Sequence, residues 1–446
     1  MAEPDWGAFE ASIDGSVVLP HTPGYDDARR PAIVNFHDVR PHAVVRCQTA
    51  SDVAETLRFA TRVGLRLAVR SGGHCFAGRS STSGIVLDTT PMGSVTVSGD
   101  MAAVGAGCRL GPLYDALATS AVTIPAGCGP EVGVTGLTLG GGLGILGRAY
   151  GLTSDRLAGA EVVLADGRLV DCDGQRHPDL FWALRGAGGC RFGVVTSLTF
   201  HTVSSPTLTS FHLSWPYSTA ARLIEAWQAW APDGPDELAA SLHVRATGRT
   251  TEPPQVHVFG TLMGDSGLAG QLDLLVDRVG VEPDGSTRHT ADHRESKRLL
   301  AEQFPAEEGQ VFSKSEFFDR PLPADAIAEL LTRIAHGRRS GESRILDFTP
   351  WGGAYNRARP DATAFAHRQA RFLLKHEAVV APSGRDAARE WLAGSWSVAH
   401  PWGTGGVYPN FPDPDLQDWS PAYHGTNLDR LLRVKAEYKP DRIFGP

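Results

Sequence analysis

The stretch Leu65-Arg66-Leu67-Ala68-Val69-Arg70-Ser71-Gly72-Gly73-His74-Cys75-Phe76-Ala77-Gly78 decides how this chain is read. Leu65, Leu67 and Val69 alternate as the inward side chains of a strand. The strand runs straight into a turn with two glycines and a histidine at its apex. Backbone N–H groups freed of side-chain crowding in such a turn can form a nest for an anion such as a pyrophosphate. Upstream, residues 52–64 predict a helix with Val53, Leu57 and Ala60 on one face. Downstream, Gly84-Ile85-Val86-Leu87-Asp88 predicts a second strand. Taken alone the Gly-Gly-His segment is weak evidence, because such a segment is more often only a turn.

A second segment supplies the weight. Pro125-Ala126-Gly127-Cys128-Gly129-Pro130-Glu131-Val132-Gly133-Val134-Thr135-Gly136 continues as LTLGGGLGILGRAYGLTSD to Asp155. Glycine at this density costs conformational entropy, which close approach of backbone to a flat or charged ligand would offset. It is no dinucleotide fingerprint: no GxGxxG follows a strand with an acidic residue about twenty positions on. Around it, residues 110–119 predict a short helix with Pro112 in its first turn. Residues 161–172 predict a hairpin turning at Asp166-Gly167. Residues 178–185 predict a helix ended by Gly186, and Val194 to Phe200 a closing strand.

From about residue 206 the texture changes. Phe211, Leu213 and Trp215 alternate as in a half-exposed strand. Residues 219–231 predict an amphipathic helix on Leu223, Trp227 and Trp230. Strands at 237–247 and 254–263 and a helix at 266–279 complete the look of an antiparallel sheet backed by helices. Residues 281–300 read as a polar surface excursion, and PWGTGGVYPNFPDPD from Pro401 reads as loop. A last helix over 425–437 has Leu428, Leu431, Leu432 and Val434 as its apolar positions.

The bulk numbers exclude several classes. At 446 residues, two lobes are the default. A net charge of −8 with no Lys/Arg block argues against nucleic acid and against an anionic membrane surface. No apolar run has membrane-spanning length, and the start shows no basic segment leading an apolar one, so a cytoplasmic protein is expected. The six cysteines form no CxxC pair and suit neither a zinc site nor a disulfide framework, so free thiols and no metal are expected.

Five segments in order then resemble one family. RSGGHCFAG (70–78), VLDTTPM (86–92), the 125–155 glycine run, HPDLFWALRGAGGCRFGVVTSLTF (177–200) and GTNLDRLLRVKAEYKPDRIF (425–444) are similar to the FAD-linked oxidases of the berberine-bridge-enzyme-like group, within the vanillyl-alcohol-oxidase superfamily. The resemblance covers essentially the whole chain. It implies an α+β protein: a PCMH-type FAD-binding module from residues 1–205, an antiparallel substrate domain from 206–399, and a segment 400–446 that returns to the FAD module.

It also implies an FAD joined at its 8α carbon to His74. The cofactor seat would draw on Arg70, Ser71, Gly72, Gly73, Cys75, Phe76 and Gly78 from the first loop. From the second it would draw on Gly129, Val132, Gly133, Gly136, Gly140, Gly141, Gly142, Leu143, Gly144, Tyr150 and Asp155. Val195, Asn410 and Asn427 would complete it. Relatives with two covalent links carry PAG-x-C-P. Here Gly129 holds that position and Cys128 lies one residue early, so a single link is expected, with Cys128 and Cys75 directed away from the ring. Val132 stands at the family's oxygen gate. Cys190-Arg191-Phe192-Gly193 departs from a usual Gly-Asn-Phe-Gly, leaving Arg191 either on the FAD phosphates or in solvent. Tyr408, in the Tyr-x-Asn segment with Asn410, is the expected catalytic base, with Tyr355 and Tyr423 as lesser candidates. His367-Arg368 matches a family pair with a structural role.

The implied activity is oxidation of an alcohol, amine or natural-product intermediate, with O2 as acceptor and H2O2 as product, in a bacterial tailoring context. A bulky sugar is less expected with one flavin link. A redox-neutral cyclase and a dehydrogenase using another acceptor are the rival readings. The oligomeric state is left open.

Overall fold

The computed structural model describes residues 4–189, 192–264, 267–303 and 307–438. Its first sheet has β1 (Ser16–Val18), β2 (Ala43–Arg46), β3 (Leu67–Arg70) and β4 (Ile85–Asp88) in the order β1-β2-β4-β3, with β2, β4 and β3 parallel. The crossover helix Ala50–Val63 starts at a capping box between Thr49 and Asp52 and stops at Gly64, whose φ is +69°. The expected alternation on β3 is replaced by burial on both faces: Leu67, Ala68 and Arg70 are buried, and Leu65 precedes the strand. Parallel strands covered on both sides lose the in–out pattern.

The second sheet contains β5 (Val95–Ser98), β6 (Met101–Gly105), β7 (Leu157–Val163), β8 (Leu169–Asp173) and β9 (Val194–His201), ordered β5-β6-β9-β7-β8 and antiparallel throughout. The β7–β8 hairpin turns at Asp166-Gly167, where φ of +82° requires the glycine. Helix Leu428–Tyr438 packs Leu431 and Val434 into the core beneath this sheet. Leu432, expected on the same apolar face, is 55% exposed. The buried stripe is therefore narrower than four positions.

The third sheet has seven strands: β10 (Thr207–Trp215), β11 (Leu238–Ala246), β12 (Gln255–Met263), β13 (Gly285–Asp292), β14 (Gln310–Phe318), β15 (Ser343–Pro350) and β16 (Phe372–Val380). They run antiparallel in the order β13-β10-β12-β11-β15-β16-β14. One face is apolar. Phe211, Leu242, Val258, Phe348 and Phe372 pack there with Trp227 of helix Ala220–Trp230 and with helices Leu268–Val279, Ala324–Ala335 and Arg385–Ala399. Burying each such side chain stabilises the fold by about 1.5–3 kcal/mol. The other face carries Ser241, His243, His257, Asp347 and Lys375 and looks toward the first lobe.

Residues 281–300 are no surface excursion. Gly285–Asp292 is the sheet's edge strand, exposed at most positions, where polar side chains protect unpaired backbone. His293–Gln303 is a helix that buries His293, Ser296, Lys297 and Leu300. Its buried face is largely polar, so no hydrophobic periodicity announces it. Among the described residues no helix is long and apolar enough to cross a membrane.

Candidate active site

The two glycine-rich loops lie against each other. A Cβ on Gly72 would stand 2.3 Å from the Gly133 nitrogen, and one on Gly133 would stand 2.4 Å from Ser71 Oγ. Only glycine allows this approach. It fixes the turn carrying His74 against the 129–133 segment. The His74 ring hydrogen-bonds to the Glu131 backbone. Its Nε2, like Ser71 Oγ, is buried without a protein partner. Burial first, then the nearby Arg109 guanidinium, holds the imidazole below its usual range and so neutral near pH 7.

His74 stands on the wall of a cavity of about 1280 Å³ between the first lobe and the polar face of the seven-stranded sheet. The floor is formed by residues 127–131 and by Leu143, Gly144 and Ile145. The roof is formed by Ala239, Ser241, His243, Phe259, Gly260, Asp347 and Thr349. Helix His293–Gln303 walls one side. Its Lys297 Nζ donates to the carbonyls of Ala126 and Gly127 (3.0 Å to the latter) and lies 3.7 Å from Cys128 Sγ. Burial lowers the lysine's pKa, while the Cys128 sulfur opposes that shift. Arg148 fastens floor to roof by donating to the carbonyls of Pro232 (3.1 Å), Gly234 (2.6 Å) and Trp351.

On the roof, His243 Nε2 is 3.3 Å from Asp347 Oδ1, and Lys375 Nζ is 3.7 Å from Asp347 Oδ2. Desolvation alone would raise the Asp347 pKa. His243, Lys375 and the Thr349 hydroxyl together outweigh it and hold the carboxyl at about 2. Neither His243 nor Asp347 was expected from the sequence. The available signal was Ser241 and His243 alternating with Ala240, Leu242 and Val244 in one strand, and Asp347 and Thr349 alternating with Leu346 and Phe348 in the other.

Of the anticipated residues, His74, Gly129, Leu143, Gly144 and Tyr355 line this cavity. Cys128 lines it too, where it was expected to face away, because its sulfur is drawn to the Lys297 ammonium. Gly136 faces open space, and Gly73 is in the left-handed region at φ +72°. Val132 packs its Cγ2 over Gly129 and joins the core of the five-stranded sheet. Val195 is buried opposite Val162 in β9, Tyr150 is half-buried, and Cys75 is half-buried outside the cavity. Cys190 and Arg191 lie outside the described residues.

Several others are committed to protein atoms. Arg70 donates to the carbonyls of Ala28, Arg29 and Ser80 at 2.8–3.1 Å. Asp155 is held by Arg368 at 2.6 and 2.8 Å and by the Leu152 N–H, which gives the His367-Arg368 pair its structural work. Phe76 meets Phe411 edge-on, and Gly78 sits under the Phe36 ring. Gly140 abuts Asn410, Gly141 abuts Phe365, and Gly142 abuts Thr153. Much of the glycine in this run therefore serves protein packing rather than a ligand. Asn410 donates to Leu137 O, and Asn427 to the carbonyls of Pro360, Thr363 and Ala364.

The tyrosines sort the same way. Tyr408 does not line the cavity. Its oxygen accepts from the N–H groups of Gly142 (3.1 Å) and Leu143 (2.9 Å) and from Asn410 (3.1 Å). Burial outweighs these donors and pushes its pKa up to about 12, which makes a poor base at neutral pH. On that geometry the Tyr408 hydroxyl anchors the 142–143 amides. Tyr423 accepts from the Asp413 N–H at 2.7 Å and is likewise outside the cavity. Tyr355 faces it, with its hydroxyl exchanging hydrogen bonds with Gly144 and its ring stacked on Trp351 at 4.3 Å.

The residues present fit an FAD. Ser71 Oγ and His74 Nε2 are buried without protein partners, and His74 opens onto a cavity large enough for a flavin. Comparison with known proteins agrees. Residues 41–173 match the FAD binding domain family, and residues 407–445 match the berberine and berberine-like family. The chain is 37% identical to (R)-6-hydroxynicotine oxidase of Paenarthrobacter nicotinovorans, over 98% of this chain and 96% of that protein. It is 30% identical to the uncharacterized FAD-linked oxidoreductase YgaK of Bacillus subtilis, over 98% and 96%. Among solved structures, a variant of Physcomitrella patens BBE-like 1 superposes with a TM-score of 0.89 at 25% identity, covering 98% of this chain and 97% of that one. The 6-hydroxy-D-nicotine oxidase from Arthrobacter nicotinovorans gives 0.85 at 28%, covering 97% of each. A glycine-built floor that seats FAD, a helix-backed antiparallel roof and full-length likeness converge on one assignment: the chain belongs to the berberine-bridge-enzyme-like family of FAD-linked oxidoreductases.

Proposed function

We propose that this chain is an oxidase of a small alcohol, amine or related intermediate that delivers the electrons to O2 and yields H2O2. The observation that supports it most is the cavity between the lobes, with His74 on its wall and a polar, charge-bearing sheet face as its roof. When bound, FAD supplies the two-electron acceptor that takes hydride from a substrate carbon. The chain's own residues do the rest. His74, neutral and with a free nitrogen lone pair, is the nucleophile for attachment at the 8α carbon. Cys128 is tied to Lys297 and Gly129 has no side chain, so the attachment is single. Phe259 and Tyr355 give the substrate apolar walls, and the roof orients its polar groups. Val132, small and packed over Gly129, leaves oxygen its approach.

The experiment is anaerobic mixing of holoenzyme with a panel beginning with (R)-6-hydroxynicotine, the compound named in the relative at 37% identity, and extending to small amines, alcohols and oligosaccharides. The flavin should bleach with one class and recolour in air with one equivalent of H2O2. Bleaching followed by slow recolouring in air but fast transfer to a dye would make the protein a dehydrogenase. Product formation without bleaching would make it a redox-neutral enzyme.

A further inference from the structure

One pairing on the cavity wall is used neither by flavin attachment nor by substrate oxidation. Cys128 stands in the second glycine-rich loop and Lys297 on helix His293–Gln303, 169 positions further on, with Nζ 3.7 Å from Cys128 Sγ. Both side chains line the cavity. The lysine's contacts fix its direction. A tetrahedral Nζ has three positions besides its own carbon. The Ala126 and Gly127 carbonyls take two of them, and the Cys128 sulfur stands at the third. The Tyr114 ring lies 5.2 Å from the same nitrogen. Among the described residues no carboxylate pairs with it.

This geometry suits a neutral amine as well as an ammonium. As an amine, Lys297 keeps both carbonyl bonds through its two N–H groups, and its lone pair falls on the sulfur. Burial lowers the lysine's pKa, which favours that form. The sulfur is also set apart from the other thiols. Of the described cysteines, only Cys128 lines the cavity. Burial pushes Cys47 and Cys172 up to about 12 and Cys108 up to about 11, which keeps those thiols protonated and unreactive. Cys75 is half-buried outside the cavity.

We infer that Cys128 and Lys297 form a reversible sulfur–nitrogen cross-link when peroxide reaches the cavity. For its oxidant the inference rests on the oxidase reading, in which H2O2 is released beside this wall. Two steps complete the reaction. The Cys128 sulfur attacks H2O2, the O–O bond breaks, and the thiol becomes a sulfenic acid as one water leaves. The Lys297 lone pair then attacks that sulfur. The S–O bond breaks, and the hydroxyl leaves with a proton from nitrogen as a second water. Sulfur has lost two electrons, one H2O2 has become two waters, and the protein is lighter by two hydrogens. The 3.7 Å separation lies just outside the reach of a near-attack pair, about 3–3.5 Å, so rotation about the lysine's last bonds closes it. The product staples the loop beside His74 to the helix that walls the cavity, and it keeps the sulfur from irreversible oxidation. Two equivalents of a small thiol return both side chains to their starting state.

The test treats holoenzyme with millimolar H2O2 in the absence of substrate, then maps tryptic peptides by mass. If the panel above bleaches no flavin, the oxidase reading fails. The cross-link is scored separately, because here the peroxide is supplied from outside. Residues 110–148 should be recovered joined to residues 295–298, lighter by two hydrogens than the two peptides together, and dithiothreitol should separate them. Dimedone, which captures sulfenic acids, should label Cys128 in Lys297→Arg and Lys297→Met and leave it largely unlabelled in the unmodified protein. Recovery of Cys128 as a free thiol, as a flavin adduct, or as a sulfinic acid beside an unmodified Lys297 overturns the cross-link. A bridge from Cys128 that persists in either lysine variant overturns the partner. The wild-type map decides the matter even where a lysine variant fails to hold flavin.

Discussion

The floor and the roof of the cavity are built on opposite principles. The floor is backbone: Gly72 and Gly133 approach within a distance no side chain permits, and Tyr408, Tyr355, Asn410 and Lys297 all bind its amides or carbonyls. The roof is a regular sheet whose geometry is indifferent to which polar side chain stands at each second position. A floor of this kind tolerates little change and keeps one cofactor. A roof of this kind can exchange His243, Ser241 or Asp347 without disturbing the helices behind it. The expectation is that floor substitutions remove flavin or stability, whereas roof substitutions remove chemistry and leave the protein yellow.

The largest effect should come from His74→Ala, which should leave no colour in acid-precipitated protein. Retained colour would place the attachment elsewhere. Next is Gly133→Val, whose side chain would collide with Ser71 and Gly72. Destabilisation of about 3 kcal/mol or more and loss of flavin are expected, read by thermal melting and flavin content. A yellow Gly133→Val protein of normal melting temperature would break the contrast from the floor side.

Asp347→Asn should break it from neither side: flavin content stays normal while reduction slows. Loss of flavin in that variant would mean that the roof also holds the cofactor.

Acid sensitivity sharpens the comparison. Burial pushes His257 and His367 down to about 4 and His376 to about 3. Their unfolded pKa is near ~6.5, so below that the unfolded chain binds protons the fold refuses. The stability they contribute is complete above about pH 6.5 and is lost as pH falls toward about 4. The melting temperature should drop across that window, and His376→Phe should flatten the drop. A flat profile would show that these rings are not buried neutral.

The smallest effect is Tyr408→Phe. Removing an acceptor of three hydrogen bonds should cost about 1–3 kcal/mol of stability, with flavin reduction slowed less than tenfold. A loss of 10²-fold or more would return Tyr408 to the role of base.

How much was legible follows the same division. The floor is readable because its demands fall on consecutive residues, as in Ser71-Gly72-Gly73-His74 and Gly129 to Gly133. The helix expected at 52–64 and found at Ala50–Val63, the hairpin at Asp166-Gly167 and the roof helix on Leu223, Trp227 and Trp230 were readable from period and turn. The protein contacts of Tyr408 and Asn427 were not legible, because a tyrosine or asparagine in a loop carries no mark of which backbone groups it will meet. His243 and Asp347 were missed because they are 104 positions apart and meet only through strand register. Helix 293–303 was missed because what it buries is a lysine and a histidine.

That lysine bears on the order in which the molecule can be finished. The loop beside His74 is closed by an ammonium reaching Ala126 from 171 positions further along the chain. A chain emerging from the ribosome presents both glycine loops long before Lys297 exists to brace them. The cofactor's seat is thus completed only once much of the roof has been made and has docked. A tethered flavin would then certify that both lobes of that copy had come together.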